Sequence, residues 1–403
     1  MNIPLLPKKP KKKRDVYLDN AAATKMSSVV FDTFLNASKS FYANPSSIHT
    51  LGVDARKSID SARQAVSKLL RAQPDTIIFT SGATEACNLA TSGVLIGEPA
   101  HIVVVRTEHQ AVLQPIFSAE KRGWSVSYVN VDTDGVVSVA DIVKEITPKT
   151  RLVCAMYGNN ESGAIAPVAD IGRAILRIRK KNKTNVPYFF SDASQIPGNA
   201  TLDVEKLHVD LMVLSGAKIH GPKGVAMLYK RRGVDLVPQT IGGGQEFGFR
   251  AGTENAAAVL GFAQALSLAN DPQENKMLEI KKLRNYFWKK LHSDLEGVEL
   301  IGPPIIQDGV RLANNLLVAF HGVESEILQL YLDAYGIYVG VGAACSVETN
   351  EESHVLTAMS VSTKKMGSII RFSLSRDTKK ADIDYVMKYL PAIVRSLRLS
   401  TNV

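Results

Sequence analysis

The chain has 403 residues, 45% hydrophobic and 22% charged, with a mean hydropathy near zero. These values exclude a disordered, collagen-like or disulfide-stapled chain. The net charge is +9, but Lys8, Lys9, Lys11, Lys12, Lys13 and Arg14 place six positive charges in the first 14 residues with no acid, so the rest of the chain is nearly neutral and offers no charge argument for binding nucleic acid.

In chain order, residues 1–14 come first as a basic arm. Pro7-Lys-Lys-Pro-Lys-Lys-Lys-Arg14 has the look of a nuclear-import signal, and a solvated arm gives the same pattern. It has neither the apolar core nor the cleavage site of a secretory signal. From Asp15 onward, Val- and Ile-rich runs alternate with helical patterns. Strands are predicted at Thr76–Thr80, Ile102–Val105, Ser125–Val129, Leu152–Met156, Tyr188–Ser191, Leu211–Leu214 and Val225–Tyr229. Helices are predicted between them, at Glu85–Leu95, Ala111–Lys121, Val139–Glu145 and Ile171–Lys180. The strand runs are continuously apolar, as in strands buried on both faces of a mainly parallel sheet. Residues 15–262 are therefore read as a large, doubly wound α/β domain.

Beyond about Leu260 the texture changes. A long amphipathic helix, Lys276–Leu295, precedes a Gly-Pro-Pro turn at 302–304. A strand near Leu316–Phe320, a helix near Glu324–Ala334, a strand near Ile369–Leu374 and a helix near Ala381–Leu397 complete a smaller α+β domain over residues 263–403. No run approaches the ~20 apolar residues of a membrane helix. The three cysteines, Cys87, Cys154 and Cys345, are far apart and contain no CxxC pair. Neither a disulfide framework nor a metal site is expected, and a reducing, cytoplasmic location fits.

Three features carry chemistry. Phe79-Thr-Ser-Gly-Ala-Thr-Glu85 follows a strand and opens a helix, where free N–H groups and a partial positive charge suit a phosphate. An ordinary helix cap reads the same way. Asp192, in Phe190-Ser-Asp-Ala-Ser-Gln195, stands where a strand ends, the edge at which ligands gather in open α/β sheets; a capping Asp would stand there too. Lys218, in Ser215-Gly-Ala-Lys-Ile-His-Gly221, also lies just past a strand. A lysine among apolar strand ends can form Schiff bases, although a surface lysine is the commoner case. A phosphate-binding helix start, an Asp and a Lys at the ends of one sheet are together what pyridoxal phosphate requires.

At this point the chain resembles the cysteine desulfurases, of the class V aminotransferase group of fold-type I pyridoxal-phosphate enzymes. The resemblance runs from Val16 to about Leu397. It rests on Tyr17-Leu-Asp-Asn-Ala-Ala-Ala-Thr24, Asn44-Pro-Ser-Ser-Ile-His49, Thr80-Ser-Gly-Ala-Thr-Glu85, Thr107-Glu-His109 and Asn159-Asn-Glu-Ser-Gly163. The later motifs are Ser191-Asp-Ala-Ser-Gln195, Ser215-Gly-Ala-Lys218, Gly242-Gly-Gly-Gln-Glu246, Arg250-Ala-Gly-Thr-Glu-Asn255, Ala344-Cys345-Ser346 and Ile370-Arg-Phe-Ser-Leu374.

The resemblance implies a role for each matching position. Lys218 would be the Schiff-base lysine and proton shuttle. Asp192 would pair with the pyridine nitrogen, and Gln195 would bond the phenolic oxygen. His109 would stack on the ring and assist proton transfer. Ala83, through its N–H, Thr84 and Ser215 would hold the phosphate. Thr253 would reach the phosphate of a neighbouring subunit, which implies a homodimer. Asn160 would lie near the phenolic oxygen and the substrate, and Arg371 would grip the substrate carboxylate, with Arg376 its nearby rival. Cys345 sits in a small-residue, polar stretch between a strand and a helix starting near Ser353, a pattern expected of a loop with an accessible thiol. In the family's position it would accept sulfur from L-cysteine as a persulfide, releasing alanine. The sulfur would pass to an iron–sulfur scaffold or a tRNA-thiolation enzyme. Cys154, in a strand run, and Cys87, on the apolar side of a helix, read as inert core thiols.

The chain departs from the family pattern at Ala217, where His commonly precedes the lysine, at Ala166, where Gln is usual, and at Phe247, where Arg is frequent. Another pyridoxal-phosphate reaction, such as selenocysteine lysis or transamination, is the enzyme alternative. A protein that binds nucleic acid through its basic arm is the alternative from a different class.

Overall fold

The computed structural model describes residues 6–8, 10, 13–271, 276–341 and 352–401. Cys345 lies outside the described residues. The first strand, β1 (Val16–Leu18), is followed by helices α1 (Ser28–Ser40) and α2 (Thr50–Leu70). Next come β2 (Ile77–Thr80), α3 (Ala83–Ser92), β3 (His101–Val105), α4 (Gln110–Glu120), β4 (Ser125–Val129) and α5 (Val139–Glu145). The alternation continues through β5 (Thr150–Cys154), α6 (Val168–Asn182), β6 (Tyr188–Asp192), α7 (Val204–Leu207), β7 (Leu211–Ser215), β8 (Ala226–Lys230) and α8 (Ala256–Asn270). The remainder is α9 (Met277–Asp294), β9 (Val298–Ile301), β10 (Asn315–Phe320), α10 (Ser325–Ala334), β11 (Ile337–Val341), α11 (His354–Ala358), α12 (Thr363–Met366), β12 (Ile369–Ser373) and α13 (Lys380–Thr401).

All seven strands expected before residue 230 join one sheet, in the order β2-β8-β7-β6-β5-β3-β4. Strands β3 to β7 pair in parallel, and β8 runs antiparallel to both β7 and β2. The pleat explains the unbroken apolar runs. Val103 and Val105 face the core beneath α2, α6 and α8, while Ile102 and Val104 face the layer formed with α3 and α4. Helix α8 is Ala-rich and buried on most sides, so it has no polar stripe by which to read it. Neither it nor α1 and α2 was legible in the alternation.

The second sheet has the order β1-β11-β12-β10-β9. Its core is built with Phe287 and Leu291 of α9, Leu328 and Leu332 of α10, and Leu390 and Ile393 of α13. Strand β1 belongs here, Val16 lying opposite Ile337, although it opens the chain. Among the described residues no helix is long and apolar enough to cross a membrane.

Candidate active site

Because β3, β6 and β7 run in the same direction, the segments that follow them emerge at one edge. His109 lies beyond β3, Asp192 ends β6, and Ser215 and Lys218 follow from β7. Asp192 stands opposite Val213 on the adjacent strand. Thr80, ending β2, and Ser215, ending β7, both pair with Ala226 at the start of the intervening antiparallel strand. The turn after β2 therefore comes close to the turn after β7.

That first turn is open. Gly82 caps α3 without any side-chain hydrogen bond, and a Cβ built on it would meet no atom within 4 Å. The N-terminus of this ten-residue helix thus carries no side-chain cap and has open space beside Gly82, which fits a phosphate ester. Ala83 is half-buried there and Thr84 exposed. Burial pushes Glu85 up, but hydrogen bonds from Arg250 (2.9 Å) and Ser81 more than offset it and hold the carboxyl low.

Asp192 is 4% exposed. Its Oδ1 accepts from the Ser194 N–H at 2.9 Å, whereas Oδ2 meets the Cys87 thiol at 4.0 Å. A thiol is a weak donor, so this buried carboxylate retains acceptor capacity of the kind a protonated ring nitrogen would use. Cys87 and Cys154 are both buried free thiols. Burial pushes both well up, with nearby acids adding to it, so neither is an accessible thiolate.

Lys218 Nζ donates to the Ala21 carbonyl at 3.0 Å and to the Ala22 carbonyl. Gln195 Nε2 donates to the same Ala21 oxygen at 3.0 Å. The Ala217 carbonyl accepts from Thr24, both from its N–H and from its hydroxyl at 3.0 Å, which ties the lysine turn to the segment after β1. The His220 ring bonds the Lys25 carbonyl at 2.9 Å. It does not reach the place of the histidine that Ala217 lacks.

His109 caps α4, its Nδ1 accepting from the Ala111 N–H at 3.0 Å. The ring proton then belongs on Nε2. Burial lowers the imidazole's pKa, Asp192 pulls it back up, and Lys218 and His354 lower it further. Asp192 and Lys218 therefore both lie within electrostatic reach of His109.

Arg371, on β12, comes from the second sheet and is 3% exposed. It donates to Asp19 Oδ1 at 2.8 Å and to the Asn160 carbonyl at 3.2 Å, while its Nε, packed against Gly340 of β11, has no hydrogen-bond partner among the described residues. The rival Arg376 lines one small cavity together with Lys218, Thr24 and His220. Thr253 is exposed on this chain, just before α8.

Two carboxyls here escaped the sequence reading. Glu108 is fully buried, its Oε1 accepting from the Met156 N–H and its Oε2 without a partner among the described residues. Burial and then the Asp192 charge push it well above the ordinary Glu range. Glu161 is raised by burial and moderated by Ser353, His354 and Arg371. Their positions in Thr107-Glu-His109 and Asn159-Asn-Glu-Ser-Gly163 were the available signal.

The sequence profile of the aminotransferase class-V family matches residues 16–386. The chain is 38% identical over 389 residues to a protein named cysteine desulfurase IscS from Dictyoglomus turgidum, covering 96% of each. It is likewise 38% identical to cysteine desulfurase 2 of Trichormus variabilis, covering 95% of this chain and 94% of that one. Among solved structures, a NifS-like protein superposes with a TM-score of 0.86 at 34% identity, covering 94% of this chain and 98% of the other. DndA from Streptomyces lividans superposes with a TM-score of 0.72 at 30% identity, covering 89% and 99%.

Proposed function

The chain belongs to the class-V aminotransferase family, and on that premise we propose that it is a cysteine desulfurase. It takes sulfur from L-cysteine, releases L-alanine and keeps the sulfur as a persulfide on Cys345. The observation that carries the reading is the placing of Lys218, Asp192 and His109 at one edge of the parallel sheet, with the α3 start lacking a side-chain cap, in a chain this similar to curated desulfurases.

The residues present fit pyridoxal 5'-phosphate. Lys218 is the residue to hold it covalently, Asp192 to pair with its ring nitrogen and Gln195 with its phenolic oxygen. Ala83, Thr84 and Ser215 suit its phosphate, with Thr253 of a second copy. When bound, the coenzyme supplies an electron sink for charge that develops at the substrate α-carbon. Arg371 is the residue to hold the substrate carboxylate, and Asn160 borders the substrate. Lys218 moves the α-proton, and the Ala21 and Ala22 carbonyls orient its Nζ. His109 presents an Nε2 proton to the same space. Cys345 takes the sulfur as its thiolate. An S–S bond forms, the substrate Cβ–S bond breaks, and the electron pair and a proton go to Cβ. The substrate carbon is reduced as the two sulfurs are oxidised.

A homodimer is supported by the exposed Thr253 and by apolar side chains exposed on α1, Val29 (52%) and Phe31 (51%). Residues 15–262 are read as the coenzyme-holding domain and 263–403 as the smaller one. The two sheets support that division, with β1 crossing to the second. The acceptor is an iron–sulfur scaffold or a tRNA-thiolation enzyme, as the sequence resemblance implies. The buried free thiols suit the cytoplasm.

The test is incubation with L-cysteine, followed by alanine release and mass mapping of the added sulfur. The expected result is sulfur on Cys345. Cys345→Ala is expected to keep the coenzyme's visible absorbance and lose desulfurisation. Full activity in that variant, or sulfur found on Cys87 or Cys154, overturns the reading.

A further inference from the structure

The segment carrying His109 is held from two sides. From its own sheet, Asn159 Nδ2 donates to the Thr107 carbonyl at 2.9 Å, and the Met156 N–H donates to Glu108 Oε1. From the other side comes His354, the first residue of α11, a helix that packs with Leu317, Ala319 and Ile369 of the second sheet. Its Nε2 lies 2.8 Å from the Glu108 carbonyl oxygen and its Nδ1 3.2 Å from Gln110 Nε2. A carbonyl only accepts, so the ring proton is on Nε2. Nδ1 is then free to accept from the Gln110 amide, whose own oxygen is occupied by Gln114 Nε2 at 3.0 Å. One imidazole therefore grips the residues on both sides of His109. Ser353 makes a parallel attachment, donating from Oγ to Glu161 Oε2 at 2.6 Å while capping α11 through the Leu356 N–H.

We infer that His354 is a positioning residue for His109, making the placement of that ring depend on how the second sheet's layer is seated. The inference rests on the reading of His109 as a ring-stacking, proton-transferring residue of a desulfurase. Every other anchor described above for residues 107–110 comes from the first sheet's own loops. His354 is thus where movement of α11 is transmitted to the imidazole, and a small misplacement there is costly in rate.

The coenzyme-loaded wild type is to be compared with His354→Ala, His354→Asn and His354→Gln. A Gln amide nitrogen reaches about as far as Nε2 and can still donate to the Glu108 carbonyl. An Asn amide reaches only about as far as Nδ1. Alanine formation gives kcat and KM, and hydrogen exchange reads the amides of residues 107–113. In Ala and Asn, kcat is expected to fall on the order of tenfold to a hundredfold, with KM within about twofold, because the loss is in chemistry rather than binding. Exchange is expected to quicken over 107–113 with β6 and β7 unchanged, and Gln to restore most of both. Wild-type kcat and exchange in Ala, or Gln as impaired as Ala, overturns the inference. If Ala does not fold, equal behaviour of Asn and Gln overturns it. If the wild type itself forms no alanine from L-cysteine, the functional reading fails, and unchanged exchange in the variants then overturns the clasp.

Discussion

Glu246 sits in the Gly-rich motif after β8, yet its carboxylate points into the protein. Both its oxygens meet the Arg63 guanidinium at 2.8 Å, and Oε2 also accepts from the Phe79 N–H at 2.9 Å. Arg63 is 3% exposed and Glu246 4%, so neither charge is solvated. Among the described residues Arg63 has one further acceptor, the Ile77 carbonyl at 2.6 Å, its Nε has no partner, and the rings of Phe79 and Phe247 flank it at about 5 Å. Glu246→Gln removes the charge and turns one acceptor into a donor. At least one buried N–H is then unpaired, at about 1–3 kcal/mol, and the guanidinium loses its counter-charge. Breaking such a pair by removing one partner costs about 3–5 kcal/mol in all, a large share of an ordinary folding margin. Arg63→Met combined with Glu246→Gln removes the stranded charge as well, so the double variant is expected to be more stable than Glu246→Gln alone. Urea unfolding of wild type, both single variants and the double variant, followed by far-UV circular dichroism, closes the cycle. Phe79 leads directly into the Gly82 turn, so coenzyme affinity should fall along with stability. A loss below about 1 kcal/mol for Glu246→Gln, or a double variant as unstable as the two singles added, refutes the reasoning.

Arg371→Lys keeps the charge but loses the planar fork, so KM for L-cysteine is expected to rise about tenfold or more. An unchanged KM, with Arg376→Lys raising it instead, transfers the carboxylate role to Arg376. Glu108 holds its proton in the folded chain well above the ordinary Glu range. The folded state then binds more protons than the unfolded one, so this group's contribution is full at low pH and is lost as pH rises from about 4.3 towards the folded value, at about 1.4 kcal/mol per unit. Glu108→Gln keeps an oxygen for the Met156 N–H and removes that decline. The variant is therefore expected to gain stability over wild type from pH 5 to 8 in parallel urea titrations, and a difference independent of pH counts against a protonated Glu108.

The seven strands of the first sheet could be read because each is a short, continuously apolar run, a local property. Asp192 and Lys218 could be read because each follows such a run, whereas His109 was legible only through the family resemblance; parallel pairing carries all three strand ends to one edge. Helices α1, α2 and α8 escaped for different reasons. The first two lie before the first predicted strand at Thr76–Thr80, and α8 is too uniformly apolar to show a face.

What remained illegible depends on pairings between distant parts of the chain. Val16 finds Ile337, Glu161 finds Ser353 and the Glu108 carbonyl finds His354 across hundreds of residues, and no periodicity signals such contacts. The order of small, acidic and basic residues along the chain determined by itself the sheet class and the chemical types present at each strand end, because backbone geometry and burial act locally. Only the tertiary structure decided that Glu108 is shut away beside Asp192 and that His354 closes on the flanks of His109. A carboxyl's proton and an imidazole's orientation are set by whichever distant groups packing brings within a few ångströms.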